Sequence, residues 1–195
     1  MTRKFFSMIP YTITQKNFLL TLARDSILHG VRTGKPLPVN IPEVDEILRE
    51  KRACFVTLHK AGALRGCIGM LAAVRPLAED VAENAFAAAF RDPRFANVTA
   101  DEVSALEIHI SVLSPAEPIN FTSEEDLLAQ IRPGVDGLIL SVGGQRGTFL
   151  PAVWEALPDK KDFLRELKGK AGLPADFWSS DVKVERYTCE SIGLP

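Results

Sequence analysis

The sequence of 195 residues predicts an α+β fold in which a largely antiparallel sheet is flanked by helices. Helical and extended segments do not alternate one by one, as they would in a parallel α/β protein. Short glycine-containing turns instead join neighbouring extended segments into hairpins. With 46% hydrophobic residues, the chain can form one globular unit or two small lobes that share a core.

The helices are predicted from their capping residues and from the spacing of their apolar residues. The first helix presents one narrow apolar stripe and stops at Gly34, because glycine often ends a helix in the left-handed conformation. The second ends near Arg91, where a following proline disfavours helical geometry. The expected first residues or caps of the helices are Thr14, Pro76, Thr122 or Ser123, Pro151 and Asp159.

The strands are predicted from alternation of apolar and polar residues. Residues 53–59 alternate, and a three-residue loop ending at Gly62 would turn the chain back into a second strand. That loop would pair Leu58 with Leu64 and place Leu64 on the apolar face. Further strands are predicted at 106–113, at 137–142 as a central strand, at 146–149 and at 182–189.

The most distinctive segment runs from Leu64 to Gly69 and reads Leu-Arg-Gly-Cys-Ile-Gly. In an extended strand, Arg65 and Cys67 share a face, and a guanidinium beside a thiol favours the reactive thiolate. Gly66 and Gly69 carry no Cβ, so a ligand or another backbone can approach them closely. The alternative interpretation is a glycine-kinked core strand with a small buried cysteine.

Composition narrows the possible function classes. A net charge of −2 lacks the basic footprint of a general nucleic-acid-binding domain. The three cysteines lie far apart, and neither a Cys-x-x-Cys pair nor a suitably spaced histidine predicts a zinc site. An odd number of cysteines argues against a disulfide framework. Residues 1–11 lack the apolar core of a signal peptide, and no apolar stretch is long enough to span a membrane. We therefore expect a cytoplasmic protein that is not bound to a membrane.

Two further segments combine arginine with chain-turning residues. The loop 143–148 offers backbone N–H groups, the Arg146 guanidinium and the Thr148 hydroxyl, which together can hold an anion. Its spacing is not that of a P-loop, and the alternative is a hairpin turn that needs glycine. The segment 92–95, Asp-Pro-Arg-Phe, is either a charged pair on the rim of a ligand cleft or a structural helix exit with Phe95 in the core.

The hexapeptide resembles a signature of the AMMECR family, which includes protein A of the prokaryotic AmmeMemoRadiSam system. Other matching segments follow in the family's order from about residue 12 to about residue 190, so the resemblance covers nearly the whole chain. They are Asp92-Pro-Arg-Phe95, Ile110-Ser-Val-Leu-Ser-Pro115, Gly144-Gln-Arg-Gly-Thr-Phe-Leu-Pro151, Val153-Trp-Glu155, Lys170-Ala-Gly-Leu173 and Arg186-Tyr-Thr188.

The resemblance implies a larger sheet-and-helix lobe and a smaller lobe, with a cleft between them. It also implies a single AMMECR-type domain at 12–190, preceded by an N-terminal extension at 1–11. The name of the system implies a Memo-type protein and a radical SAM enzyme as partners. The chain carries no iron–sulfur or metal motif, and its sequence leaves the cofactor, the substrate and the reaction open.

These observations predict a site around Arg65 and Cys67 that binds a small anionic or polar ligand, with Cys67 as the catalytic or carrier thiol. Arg146 would converge with Arg65 around an anion or an acidic side chain, since two guanidiniums repel unless a negative charge lies between them. The expected ligand contacts are Arg65, Gly66, Gly69, Arg94, Arg146, Gly147 and Thr148, with no metal ligand.

Three questions stay open at the level of sequence. His59 and His109 are candidate bases for Cys67, whereas His29 lies off its helix stripe and is expected to face solvent. The chain could instead be a nucleic-acid-binding or regulatory interaction module without catalysis. It could also be a structural adaptor in which the hexapeptide supports a partner-binding surface.

Overall fold

The computed structural model describes residues 10–193, and the chain divides into two compact units. The first unit consists of two segments, one that ends at Leu113 and one that begins at Glu190, and the second unit comprises Ser114–Cys189. The α+β class is confirmed, with the strands divided between two four-stranded sheets. Within 10–193, no helix is long and apolar enough to cross a membrane.

The described residues form helices and strands in mixed order. The helices are α1 (Ile13–Thr33), α2 (Leu77–Phe90), α3 (Glu124–Gln130) and α4 (Lys160–Lys170). The strands are β1 (Cys54–Lys60), β2 (Ala63–Gly69), β3 (Leu106–Leu113), β4 (Glu117–Pro118), β5 (Gly137–Val142), β6 (Gln145–Phe149), β7 (Lys183–Tyr187) and β8 (Cys189–Ile192).

In the first unit, α1 and α2 pack on one face of a sheet with the strand order β2-β1-β3-β8. Cys54, Val56 and Leu58 of β1 point to this face and are fully buried. The intervening residues of β1 point to the opposite face and are half-buried. The alternation that predicted β1 therefore separates a core face from a second face that points away from the helices.

Helix α1 confirms the predicted apolar stripe and corrects its start. The N-cap is Thr12 rather than Thr14, because Thr12 and Gln15 form a capping box in which each side chain accepts the other's backbone N–H. Gly34 ends the helix with φ 70°. His29, which we expected to face solvent, is half-buried. The buried stripe consists of Leu19, Leu22, Ala23, Ser26, Ile27 and Gly30.

The turn between β1 and β2 differs from the predicted three-residue loop. It has two residues, Ala61 and Gly62, whose φ values are 50° and 77°. Two successive positive φ values match the twist of a β-hairpin, although alanine gives little sequence signal for them. His59 consequently pairs with Leu64, which is exposed instead of lying on the apolar face. The predicted register is wrong.

A register shift in the same hairpin then sets the faces of β2. Leu58 pairs with Gly66 and Thr57 pairs with Cys67, so Arg65 is an extra residue on β2. Because a bulge adds one residue to one strand, it moves Gly66 to the core face and Cys67 to the opposite face. The prediction that Cys67 lies opposite the core is confirmed, through a bulge that alternation alone did not reveal.

Gly66 marks a close approach between α2 and the sheet. A Cβ at Gly66 would lie 2.1 Å from the carbonyl oxygen of Ala88. That oxygen belongs to the backbone of α2, so it cannot move aside unless the helix moves. The glycine therefore admits another backbone, which is one of the two roles that the sequence suggested.

In the second unit, the strand order is β4-β7-β5-β6, and β5 is an inner strand as predicted. Leu138 and Leu140 of β5 share a buried core with Phe163 of α4. The Trp154 ring stacks on Phe163 with centroids 3.7 Å apart, and its indole N–H donates to the carbonyl of Asp136 at 2.7 Å. The tryptophan thus ties the end of the loop before β5 to the core of this unit.

The last predicted strand, at 182–189, is in fact two strands that meet at Thr188. β7 belongs to the second sheet, whereas β8 belongs to the first. The Thr188 N–H donates to the hydroxyl of Ser114, and the Ser114 N–H donates to the carbonyl of Thr188, both at 2.9 Å. These reciprocal bonds satisfy backbone groups where the ladder is interrupted.

We predict that Gly66→Val destabilises the protein by about 1–3 kcal/mol or more, because the new side chain overpacks the contact with α2. Ala63→Val, at the exposed end of the hairpin, should change the free energy of unfolding by less than about 0.5 kcal/mol. Gly144→Ala is a matched glycine control, since nothing lies within 4 Å of its Cβ position. Thermal melts compare the three variants. A Gly66→Val melt equal to that of the wild type would show that packing does not require this glycine.

Candidate functional site

Cys67 lies on edge strand β2, with its side chain on the sheet face that points away from α1 and α2. Cross-strand pairing places Thr57 beside Cys67 and His109 on the far side of Thr57. The Thr57 hydroxyl donates to Cys67 Sγ at 3.3 Å. His59 lies two residues along β1 from Thr57, on the same face. All four residues are half-buried, and we call them the Cys67 face.

His59 affects the pKa of its neighbour His109 on the Cys67 face. Burial lowers the pKa of His109, and the neighbouring charge of His59 lowers it further. Within the described residues, the sulfur of Cys67 has a hydrogen bond from Thr57 and none from a histidine. The face therefore presents a row of thiol, hydroxyl and imidazole rather than a Cys–His pair.

The backbone of Cys67 is held by the segment 92–95. Asp92 Oδ2 accepts the Cys67 N–H at 2.9 Å, and Arg94 Nη2 lies 3.5 Å from the Cys67 carbonyl. Arg94 also donates to both carboxylate oxygens of Asp92, at 2.9 Å from Nε and 2.6 Å from Nη2. This guanidinium holds the pKa of the Asp92 carboxyl well below its usual range. The side chain of Asp92 is 2% exposed and that of Arg94 is 55% exposed.

The Asp92–Arg94 pair closes part of the free edge of β2. An edge strand presents unpaired backbone groups, and Asp92 satisfies one of them. The hexapeptide 64–69 and the segment 92–95 are therefore joined by hydrogen bonds between Cys67 and the Asp92–Arg94 pair. Phe95, which one of the two interpretations of this segment placed in the core, is half-buried, and the Arg94 guanidinium lies 5.4 Å from the centroid of its ring.

Arg65 is engaged away from the thiol. Its Nε and Nη2 donate to Glu102 at 3.3 and 3.1 Å, and Lys60 shares this carboxylate at 2.8 Å. Its Nη1 and Nη2 donate to the carbonyls of Ala96 at 2.8 Å and Asn97 at 3.3 Å. Hydrogen bonds from Arg65 and Lys60 hold the pKa of Glu102 below its usual range. Arg65 thus braces the loop that follows the segment 92–95.

Gly69 makes room for atoms of this chain. A Cβ at Gly69 would lie 2.4 Å from the Phe55 ring and 2.5 Å from the carbonyl oxygen of Cys54. The two glycines of the hexapeptide therefore admit different neighbours: backbone of α2 at Gly66, and the facing strand at Gly69.

The loop arginine lies in the second unit. Arg146 is half-exposed and lies 4.0 Å from Glu185, whereas Arg65 belongs to the first unit. Their convergence stays a prediction. A Cβ at Gly147 would lie 2.7 Å from the backbone nitrogen of Ala171, so this glycine lets the end of α4 approach β6.

Thr148 takes part in a hydrogen-bond network within the second sheet. Its hydroxyl donates to the carbonyl of Leu138 at 2.9 Å and lies 3.0 Å from the hydroxyl of Tyr187. Tyr187 in turn donates to the carbonyl of Phe149 at 3.1 Å. Burial raises the pKa of Tyr187, so this phenol stays a neutral donor.

The three cysteines differ in their surroundings. Cys54 is fully buried, and burial raises the pKa of its thiol well above the usual value. Burial also raises the pKa of the Cys189 thiol, to about 12. Cys67 is half-buried on the Cys67 face. Among residues 10–193, no group of three or more His, Cys, Asp or Glu side chains could hold a metal ion.

The sequence did not reveal the partners of two acidic residues, one beside the site and one in the core of the same unit. Glu102 follows Thr99 by three residues and accepts its backbone N–H at 3.1 Å, a capping-box spacing that pointed to it. Asp80 accepts the N–H of Cys54 at 3.0 Å and the amide of Asn84 at 2.9 Å. The signal for Asp80 was that Asp80 and Asn84, two polar residues four positions apart, lie on the buried, alanine-rich face of α2.

Comparison with known proteins now identifies the family. The AMMECR1 family model matches residues 20–192, and the chain belongs to this family. A protein of Methanothermobacter thermautotrophicus is 39% identical over 189 residues, covering 93% of this chain and 95% of that protein. A protein of Thermotoga maritima is 40% identical over 162 residues, covering 82% of this chain and 88% of that protein. The crystal structure of an uncharacterized protein from Pyrococcus horikoshii has a TM-score of 0.82 and 38% identity, covering 91% of this chain and 90% of that one.

We predict that limited iodoacetamide treatment near neutral pH labels Cys67 first. The thiolate is the nucleophile, and burial raises the pKa values of Cys54 and Cys189, so their labelling should need alkaline pH or denaturant. Peptide mapping by mass spectrometry measures the order. Faster labelling of Cys54 or Cys189 in the folded protein would contradict this assignment.

Asp92→Asn should destabilise the protein by about 1–3 kcal/mol at neutral pH, because the partly buried Cys67 N–H and the Arg94 guanidinium lose a charged acceptor. The pKa of Asp92 is lowered by folding, so its stabilisation is present above about pH 4 and is lost as the pH falls below that value. The stability gap between wild type and variant should therefore shrink in acid.

Urea unfolding at several pH values measures this gap. Asp25→Asn, at an exposed position of α1, is the control for the loss of one negative charge. A gap that stays constant from neutral to acid pH would show that ionised Asp92 does not stabilise the fold.

Proposed function

We propose that this AMMECR1-family protein is a cytoplasmic component of an AmmeMemoRadiSam-type system and binds a small anionic or polar ligand at the Cys67 face, with Cys67 as the reactive thiol. The observation that carries the proposal is the way Cys67 is held. Asp92 and Arg94 fix its backbone, and Thr57 contacts its sulfur from the facing strand. A thiol positioned by three side chains on the sheet face that points away from α1 and α2 suits chemistry better than packing.

The polar groups of the Cys67 face favour a ligand that can accept and donate hydrogen bonds. His59, His109 and the hydroxyl of Thr57 lie on the same face as the thiol. Because its pKa is lowered, His109 is a neutral imidazole near pH 7, which can accept a proton at one ring nitrogen and donate a hydrogen bond from the other. Such a group suits the role of a general base that takes the proton of a thiol.

Arg94 is the guanidinium best placed to contact an anionic ligand. Its Nε and Nη2 are directed to Asp92, while its side chain is 55% exposed. Arg65 has its donors engaged by Glu102 and two carbonyls, so we assign it a positioning role. Arg146 is half-exposed and about as open as Arg94, so it remains a candidate anion contact in the second unit.

The proposed partners are a Memo-type protein and a radical SAM enzyme. Their support is the family membership over residues 20–192, together with the resemblance of the sequence to the family that includes protein A of the AmmeMemoRadiSam system. In such a system, the thiol would either convert the ligand or carry it between the partners. Release of a changed ligand by the isolated protein distinguishes an enzyme from a carrier.

The test incubates the purified protein with the small-molecule fraction of a cell extract. Native and denaturing mass spectrometry then detect retained ligand and covalent adducts. We predict an added mass on the peptide that contains Cys67 in the wild type and in Cys189→Ser, and its loss in Cys67→Ser. Thermal melts verify that both variants fold.

The same added mass on folded Cys67→Ser would overturn the role of the thiol. Absence of any ligand or adduct in the wild type would instead favour an interaction module without chemistry. Co-purification of the tagged protein with the two partners, from cells that carry the system, tests membership separately.

A further inference from the structure

A second site lies on the helical side of the first unit, away from the Cys67 face. An open pocket of about 450 Å³ is formed where the ends of α1 and α2 meet the loop that contains Asn97. The volume falls within the range of small-molecule sites. Helices α1 and α2 cover the core face of the first sheet, whereas the Cys67 thiol lies on its other face. The pocket and the thiol are therefore on opposite sides of this sheet.

The floor of the pocket is aromatic. Phe86 and Phe90 lie on successive turns of α2, with ring centroids 5.0 Å apart and planes tilted by 39°. A Cβ at Gly30 of α1 would lie 2.5 Å from the Phe90 ring and 2.7 Å from the Phe86 ring. The glycine therefore allows both rings to lie against α1, and the pocket wall beside them is helix backbone.

The rim of the pocket is cationic. The Arg91 guanidinium lies 4.9 Å from the centroid of the Phe86 ring, which keeps its charge at the edge of the aromatic floor. Within residues 10–193, no carboxylate forms an ion pair with Arg91. Asn97 also lines the pocket, and its carbonyl accepts from Arg65 while its side-chain amide is exposed.

We propose that this pocket binds a small aromatic carboxylate. A planar ring can pack in offset geometry on the partly exposed ring of Phe90, beside the buried ring of Phe86, which a flexible aliphatic chain does less well. A carboxylate on that ring can pair with Arg91, whose planar guanidinium suits two parallel hydrogen bonds. The side-chain amide of Asn97 adds a neutral donor at the same rim. This inference stands apart from the thiol chemistry proposed at Cys67.

The test uses naphthoate as the probe and naphthamide as its uncharged counterpart. An amide-resolved NMR titration of the full chain should show shifts concentrated around Gly30, Phe90 and Val98, with naphthoate binding at least about tenfold more tightly than naphthamide. Arg91→Gln should weaken naphthoate binding by about tenfold and leave the weak binding of naphthamide unchanged.

Two further variants separate binding from folding. Arg165→Gln removes an exposed arginine from α4 of the second unit and should bind naphthoate like the wild type. Phe90→Leu should weaken both probes, and its thermal melt shows whether the fold persists. Equal binding of the two probes, unchanged binding by Arg91→Gln, shifts centred elsewhere, or no shifts at millimolar naphthoate would each overturn the proposal.

Discussion

The carboxylate of Asp92 is the contact on which the geometry around Cys67 depends. It accepts the N–H of a residue 25 positions earlier in the chain and is neutralised by Arg94 two positions later. Without it, edge strand β2 would present the partly buried N–H of Cys67 without an acceptor, beside a bulge that already weakens the ladder. The position of the thiol is thus set by a carboxylate outside the sheet as well as by the sheet itself.

A carboxylate that pairs with an arginine and also accepts a backbone N–H occurs at two other places in the chain. Asp80 pairs with Arg75 at 2.8 Å and accepts the backbone N–H at the start of β1. Asp136 pairs with Arg132 at 2.6 Å and accepts the backbone N–H of Arg132 at 2.9 Å, just before β5. Buried ion pairs add little net stability, but removing one partner is costly, so such pairs fix the position of a backbone segment. Each unit therefore uses buried carboxylates to hold backbone N–H groups in a strand or in the segment just before one.

Much of the fold was predictable because it is encoded by local periodicity. The stripe of α1 and the apolar run of β5 needed no distant contact to be recognised. The hairpin register was not predictable, since a positive φ at Ala61 and a bulge at Arg65 have no clear signature in residue type. The break at Thr188 was hidden because the alternation continues across it while the strands change sheets.

The candidate site was predictable in its residues more than in their roles. The sequence singled out Cys67, Arg65 and Asp92, but the contacts Cys67–Thr57, Cys67–Asp92 and Arg65–Glu102 join residues 10 to 37 positions apart. Local patterns carry no information on such pairing. Arg65 was expected to serve the thiol and instead pairs with Glu102.

The most direct test of this account is hydrogen exchange at the backbone amide of Cys67 in the native protein. The account predicts that this amide is strongly protected although β2 is an edge strand, and that Asp92→Asn removes the protection while the amides between β1 and β3 keep theirs. Exchange of the Cys67 amide in the wild type as fast as that of the exposed turn at Gly62 would contradict it.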